Sequence, residues 1–148
     1  MGRDTSTKLN IIQAVPFFGV LDMGVSLQFY LNGLGFIMTN KWTPRGTIEW
    51  CWLQRDGAAL MLQEYRKEAG APVEKRGVGI SINFICEDAL ALYHEFTAKD
   101  LPASEPFVGN NMWVTNLKDP DGYCLSFESV SKVPEGTTYS ELINEGGR

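Results

Sequence analysis

The chain has 148 residues, with 13 Lys+Arg against 18 Asp+Glu, a formal net charge of −5, one histidine and three cysteines. At 44% hydrophobic and 21% charged it has the make-up of a folded domain, which excludes a disordered chain and a membrane protein. The acidic balance repels phosphate backbones, so no nucleic-acid partner is expected, and it mildly favours a cationic ligand.

The N-terminal eight residues are polar. The apolar stretch from Ile11 to Leu21 holds Gln13 and stops at Asp22, too short to cross a bilayer and followed by no small-residue cleavage site. It reads as a strand over Ile11–Val20. Asp22 then caps a helix of about ten residues, with Leu27, Tyr30, Leu31 and Leu34 on one face. Gly33 and Gly35 end it, because glycine accepts the positive φ of a helix C-terminus. Strands follow near 36–42, 47–53 and 58–65, the last two joined at Asp56-Gly57, a strong hairpin signal.

A polar segment from Arg66 to Gly77 reads as a linker. The next strand is Val78–Cys86, and a helix spans Asp88–Lys99 with Ala89, Leu92, Tyr93 and Phe96 as its apolar stripe. His94 falls off that stripe and reads as a solvated surface residue. Strands near 103–108, 112–118 and 122–130 complete the series, with Asp119-Pro120-Asp121-Gly122 as a tight turn. In the tail, Thr138-Tyr139-Ser140-Glu141 has capping-box spacing for a short helix over 139–144, before a frayed Glu145–Arg148.

The two halves repeat. Gly57 and Gly122 are 65 positions apart, and the same shift carries Val20-Leu21-Asp22 onto Ile85-Cys86-Glu87, Leu27 onto Leu92, Phe36 onto Leu101 and Leu60 onto Leu125, without a gap. The expected fold class is therefore α+β: two βαβββ modules in tandem, about 9–66 and 78–131, within one domain over 1–148 that includes the linker 66–77 and the tail 132–148.

Phe29-Tyr30 followed by Leu34-Gly35-Phe36, and Asp119-Pro120-Asp121-Gly122-Tyr123 before alternating apolar residues, resemble the vicinal oxygen chelate superfamily, and within it the glyoxalase/bleomycin-resistance group. The resemblance covers residues 9–131 and implies a curved mixed-sheet cleft. It also implies a homodimer, because relatives form the cleft within one chain or across a two-fold interface. Metal-using members place His, Glu or Gln on the first and last strand of each module. The matching positions here are Val15 or Pro16, Met61, Ser81 and Ser126, none of which suits a divalent ion. Of the strand carboxylates Glu49, Glu64 and Glu128, only Glu128 shares a face with Ser126. No metal and no cofactor are expected.

The lone histidine and the scattered Cys51, Cys86 and Cys124, with no Cys-x-x-Cys pair, also argue against a zinc site and a disulfide framework, and point to a reducing, cytoplasmic setting. Cys124 has no neighbouring base or cation to activate it, and no Gly-x-Ser-x-Gly nucleophile motif or phosphate-binding glycine loop occurs, so no catalytic residue is assigned. The expected ligand-binding set is Trp50, Trp52, Met61, Ser81, Asn83, Trp113, Ser126 and Glu128, a neutral, aromatic-rich lining. The direction of Trp50 and Trp52 stays open, since Leu53 has an equal claim to the core. The function expected from the residues and the resemblance is metal-independent sequestration of a small, planar or cationic molecule, as in antibiotic resistance. The alternative is a metal-dependent lyase, isomerase or dioxygenase with a displaced site.

Overall fold

A computed structural model describes residues 8–66 and 75–146; the middle of the expected linker, 67–74, and the last two residues of the expected frayed end lie outside the described residues. The strands are β1 (Phe17–Val20), β2 (Ile37–Trp42), β3 (Trp50–Arg55), β4 (Ala58–Glu64), β5 (Ser81–Ile85), β6 (Phe107–Gly109), β7 (Met112–Lys118) and β8 (Cys124–Val130). They form two four-stranded mixed sheets, ordered β1-β4-β3-β2 and β5-β8-β7-β6, each with its first strand parallel to its last. Helices α1 (Met23–Leu27, continued as a π-helix over Gln28–Gly33), α2 (Ala89–Ala98) and α3 (Tyr139–Gly146) complete an α+β fold of two tandem βαβββ modules. Among the described residues no helix is long and apolar enough to cross a membrane.

The first strand is shorter than expected from the sequence. Ile11 and Ile12 lie outside it, 90% exposed. The parallel ladder begins at Phe17, and the last bond before it is Met61 N–H to the Pro16 carbonyl at 2.9 Å. Proline has no N–H to donate, so it stops the pairing. At the other end Asp22 caps α1 through its carboxylate, which accepts from Val25 N–H at 3.1 Å.

The repeat is not gapless. Asp22 and Asp88 cap the two helices, 66 positions apart, whereas Gly35 and Asp100, the positive-φ residues that end them (φ 78° and 60°), are 65 apart. The first helix thus holds one more residue than the second. The π-helix absorbs it, with Leu34 N–H reaching back five residues to the Phe29 carbonyl at 2.8 Å.

In both sheets the helix-bearing face packs inward. Phe18, Val20, Cys51, Leu53, Leu60 and Leu62 from the first module share one core with Phe96, Leu117, Leu125 and Phe127 from the second. Rings bridge the modules: Phe18 stacks on Tyr123 with centroids 4.2 Å apart, and Phe36 meets Phe84 edge-on at 6.1 Å. Polar bridges add direction to this apolar contact. Tyr30 Oη donates to Asp119 at 2.8 Å, Tyr123 Oη donates to the Gly19 carbonyl at 2.9 Å, and Lys99 Nζ donates to the Gly33 carbonyl at 3.2 Å.

Arg55 makes a bidentate bridge to Glu95 at 2.7 and 3.0 Å while also donating to the Leu34 carbonyl. The guanidinium's hydrogen bonds hold the Glu95 carboxyl below its ordinary value of 4.5. The stability this link contributes is complete above that value and lost as pH falls through the lower folded one. Glu95→Gln is therefore expected to give a shallower loss of stability on acidification, read as urea midpoints between pH 3 and 6; an unchanged acid limb would remove Glu95 from the linkage.

Candidate functional site

The faces turned away from the shared core carry most of the expected ligand-binding residues. In β3 the buried partners are Cys51 and Leu53, so Trp50 and Trp52 point to the open face, which settles their direction. Cross-strand register then builds two rows. Phe17, Met61, Trp52 and Asn40 form one, and Gly19, Gln63, Trp50 and Trp42 the other. Trp42 reaches this face because of a β-bulge between Met38 and Asn40. Leaving Thr39 unpaired shifts the alternation, so Trp42, not Lys41, stands opposite Trp50.

Adjacent strands are roughly 4.8 Å apart and alternate residues roughly 6.6 Å, so the three indoles and Phe17 tile an area about the size of a small fused-ring molecule. Trp50 and Trp52 are half-buried, while Phe17 is 53% and Trp42 46% exposed. Tyr65 continues the parity of Met61 and Gln63, and its ring end lies where a Cβ on Gly19 would stand, so any side chain at 19 would displace Tyr65.

The second sheet's outward face is polar in two of its three rows, with Ser126 buried at 4% exposure. Its rows are Ser81, Cys124 and Lys118, then Asn83, Ser126 and Asn116, then Ile85, Glu128 and Val114. Ser81 Oγ donates to Asn83 Oδ1 at 2.8 Å. Ser81, Asn83, Ser126 and Glu128 thus come together on one sheet, and Trp50, Trp52 and Met61 on the other. Trp113 joins neither set. It pairs with Ser129 on the inward face and is buried beside Ala89 and Val108. Sequence reasoning left out Phe17 and Trp42: Phe17-Phe18 gives no parity signal, and the bulge disguises Trp42.

The strand carboxylates do not converge. Glu64 accepts Met23 N–H at 2.7 Å, at the start of α1, and so is engaged instead of being a free strand end. Glu49 accepts two hydrogen bonds from Arg45, at 2.8 and 3.0 Å, and these hold its pKa below the ordinary value. Glu128 is half-buried among neutral side chains. Among the described residues no three of His, Cys, Asp and Glu group closely enough to hold a metal ion.

In the register Met61 faces Phe17 and Ser126 faces Asn83, while Val15 and Pro16 precede β1. A phenyl ring, a thioether, an amide and a hydroxyl are a poor donor set for a divalent cation, so these positions do not fit the metal that enzymes of the resembling family use.

The cysteines are unpaired thiols. Burial pushes Cys51 up to about 11 and raises Cys86 as well, so neither is an activated nucleophile. His94 is exposed and shares a 2.7 Å hydrogen bond with Tyr139 Oη on α3, remote from both open faces.

A family model described as Glyoxalase/Bleomycin resistance protein/Dioxygenase superfamily matches residues 12–127. No curated protein matches the sequence significantly. Among solved structures the chain is similar to a bleomycin-binding protein complexed with bleomycin (19% identity, TM-score 0.64, 80% of this chain and 98% of that one). It is also similar to TnmS3, an antibiotic binding protein from Streptomyces sp. CB03234 (18% identity, TM-score 0.61, 83% and 100%). A third is a glyoxylase/bleomycin resistance protein/dioxygenase domain from Frankia sp. EAN1pec (15% identity, TM-score 0.64, 83% and 99%). At these identities the likeness is one of fold.

Proposed function

The chain belongs to the glyoxalase/bleomycin resistance protein/dioxygenase superfamily, and from that premise we propose that it binds a small, flat organic molecule without metal or turnover, sequestering it as an antibiotic-resistance protein does. The observation that carries this reading is the alignment of Trp42, Trp50, Trp52, Phe17 and Met61 on one open face, with no acid–base pair or activated nucleophile beside them among the described residues. Large aromatics placed outside the core offer stacking surface, worth on the order of 1 kcal/mol per ring beyond area burial. The names of two fold neighbours, one binding bleomycin and one an antibiotic, support the same class of ligand.

The working form in this reading is a homodimer. Phe17, Ile37, Trp42, Ile85 and Val130 remain exposed on the faces turned from the core. A second copy covers them and sets the aromatic face of one chain against Ser81, Asn83, Ser126 and Glu128 of the other. The flat body of the ligand then lies on the tryptophans while hydroxyl, amide and carboxylate groups read its polar edge, and Glu128 favours a positive charge there. The three free thiols suit the reducing cytoplasm.

Tryptophan-fluorescence titration with bleomycin and a panel of flat antibiotics tests the proposal, with sedimentation equilibrium for the dimer. Saturable quenching that survives dialysis against a chelator is expected. Stoichiometric divalent-ion binding, or turnover of methylglyoxal–thiol adducts or catechols abolished by Glu128→Gln, would overturn it.

A further inference from the structure

A large cavity lies away from the tryptophan face. It has a volume of about 810 Å³ and lies between the modules, at the free edge of β5, bounded by Gln13, Ala14 and Pro16, the β3–β4 hairpin and one face of α2. That size falls in the range of small-molecule sites. It shares only Asn83 with the ligand-binding set above, and it opens on the helix-bearing side of the second sheet, where Ile82 and Phe84 point.

Two features of its lining are independent of each other. The floor is aromatic. Phe84 stacks on Phe127 with centroids 4.8 Å apart and meets Phe36 edge-on, and of these three rings Phe84 alone is only half-buried, leaving ring surface for a guest. The rim is acidic, with Asp56, Glu87, Asp88 and Glu95 against a single cation, Arg55, among the described residues.

Arg55 is already committed to Glu95 and the Leu34 carbonyl, and its Nε lies 4.0 Å from Asp56. Asp88 accepts Ala91 N–H at 3.0 Å as the cap of α2, and no cation pairs with it or with Glu87 among the described residues. An anion entering would meet surplus negative charge and a guanidinium with its partners in place. A cation would find unneutralised carboxylates around an aromatic floor, the arrangement in which stacking and charge–ring attraction act together. The chain's net charge of −5 works in the same direction at longer range.

We propose that this inter-module cavity is a second small-molecule site, selective for a flat organic cation of two or three rings. Because its walls come from β3, β5 and α2, an occupant touches both modules at once, beside the Arg55–Glu95 bridge.

Thioflavin T, a flat fluorescent cation, is the probe, and 1-anilinonaphthalene-8-sulfonate, a comparable anion, its counterpart. Both are titrated at low ionic strength into the full-length protein. Asp56→Asn/Glu87→Gln removes two exposed rim charges without touching the core, and asparagine keeps the positive φ that Asp56 adopts (48°). Ala91→Leu, on an exposed position of α2, narrows the cavity, and Trp52→Ala probes the other face.

Expected is a saturable cation site that persists when the tryptophan face is altered, with the anion bound more weakly. In Asp56→Asn/Glu87→Gln the dissociation constant should rise about tenfold, roughly threefold per charge at several ångströms in water. Ala91→Leu should weaken the probe further, while Trp52→Ala leaves the cavity component of binding in place. Equal affinity for the anion, indifference to both cavity variants, or loss on Trp52→Ala alone would overturn the proposal. The last result would put the dye on the tryptophan face and leave the reading of that face standing.

Discussion

Asp119→Ala is expected to lower stability by about 3 kcal/mol, an amount that for a domain of this length moves the melting temperature by roughly 10 °C. The aspartate is buried and accepts three hydrogen bonds, from Tyr30 Oη at 2.8 Å and from the N–H groups of Asp121 and Tyr123 at 2.9 and 2.8 Å. Alanine leaves the fully buried Tyr30 hydroxyl without a partner and loosens the turn that seats Tyr123 against Phe18. Tyr30→Phe removes donor and demand together, so it should cost only about 1 kcal/mol. Urea denaturation of both variants and of the pair checks this, and equal losses in the two single variants would contradict it.

The same residue carries a pH signature. Burial, the largest influence, raises the Asp119 carboxyl above its ordinary value of 3.8. The folded chain therefore holds that proton to higher pH than the unfolded chain. The linked stability is fullest below the ordinary value and declines as pH rises through the folded one, opposite in slope to Glu95.

The second large effect concerns ligand binding. Trp50→Ala/Trp52→Ala should weaken the best ligand from the quenching screen by about a hundredfold, since central aromatics of a binding face carry disproportionate free energy. Trp113→Phe should leave affinity within about twofold, because Trp113 is buried on the opposite side of its sheet and a smaller aromatic there disturbs packing alone. Calorimetric titration of the three proteins separates the cases, and comparable losses in both variants would mean that the indoles act through the fold.

How much of this was legible in the sequence depended on whether the signal was local. Asp22 and the Asp119–Gly122 turn announced themselves because a cap or turn is a bargain between a side chain and its own backbone, whereas the 65-residue shift matched Asp22 to Glu87 and so passed over Asp88 as the second cap. The hairpin at Asp56-Gly57 and the doubling of the modules were visible for the same reason. Trp113 was not readable, since Trp113, Thr115 and Leu117 face inward while Val114, between them, is apolar and buried too. The packing of the modules through their helix-bearing faces rests on pairs such as Tyr30–Asp119 and Arg55–Glu95, 89 and 40 positions apart, which no short window contains. Glu64 reads as a strand end until α1 is seen to start beside it.

The unpaired Thr39 has a consequence for how such a protein can change. Adding or removing one residue at a bulge exchanges the sides shown by the rest of the strand while the hydrogen-bonded neighbours keep their places. A single insertion could thus have supplied an indole to a surface without mutating any codon already there. The module copies also differ by one residue at the π-turn, so length, as much as residue identity, separates them. Lineages that diverge by such slips would present new surfaces while their aligned positions still appear unchanged.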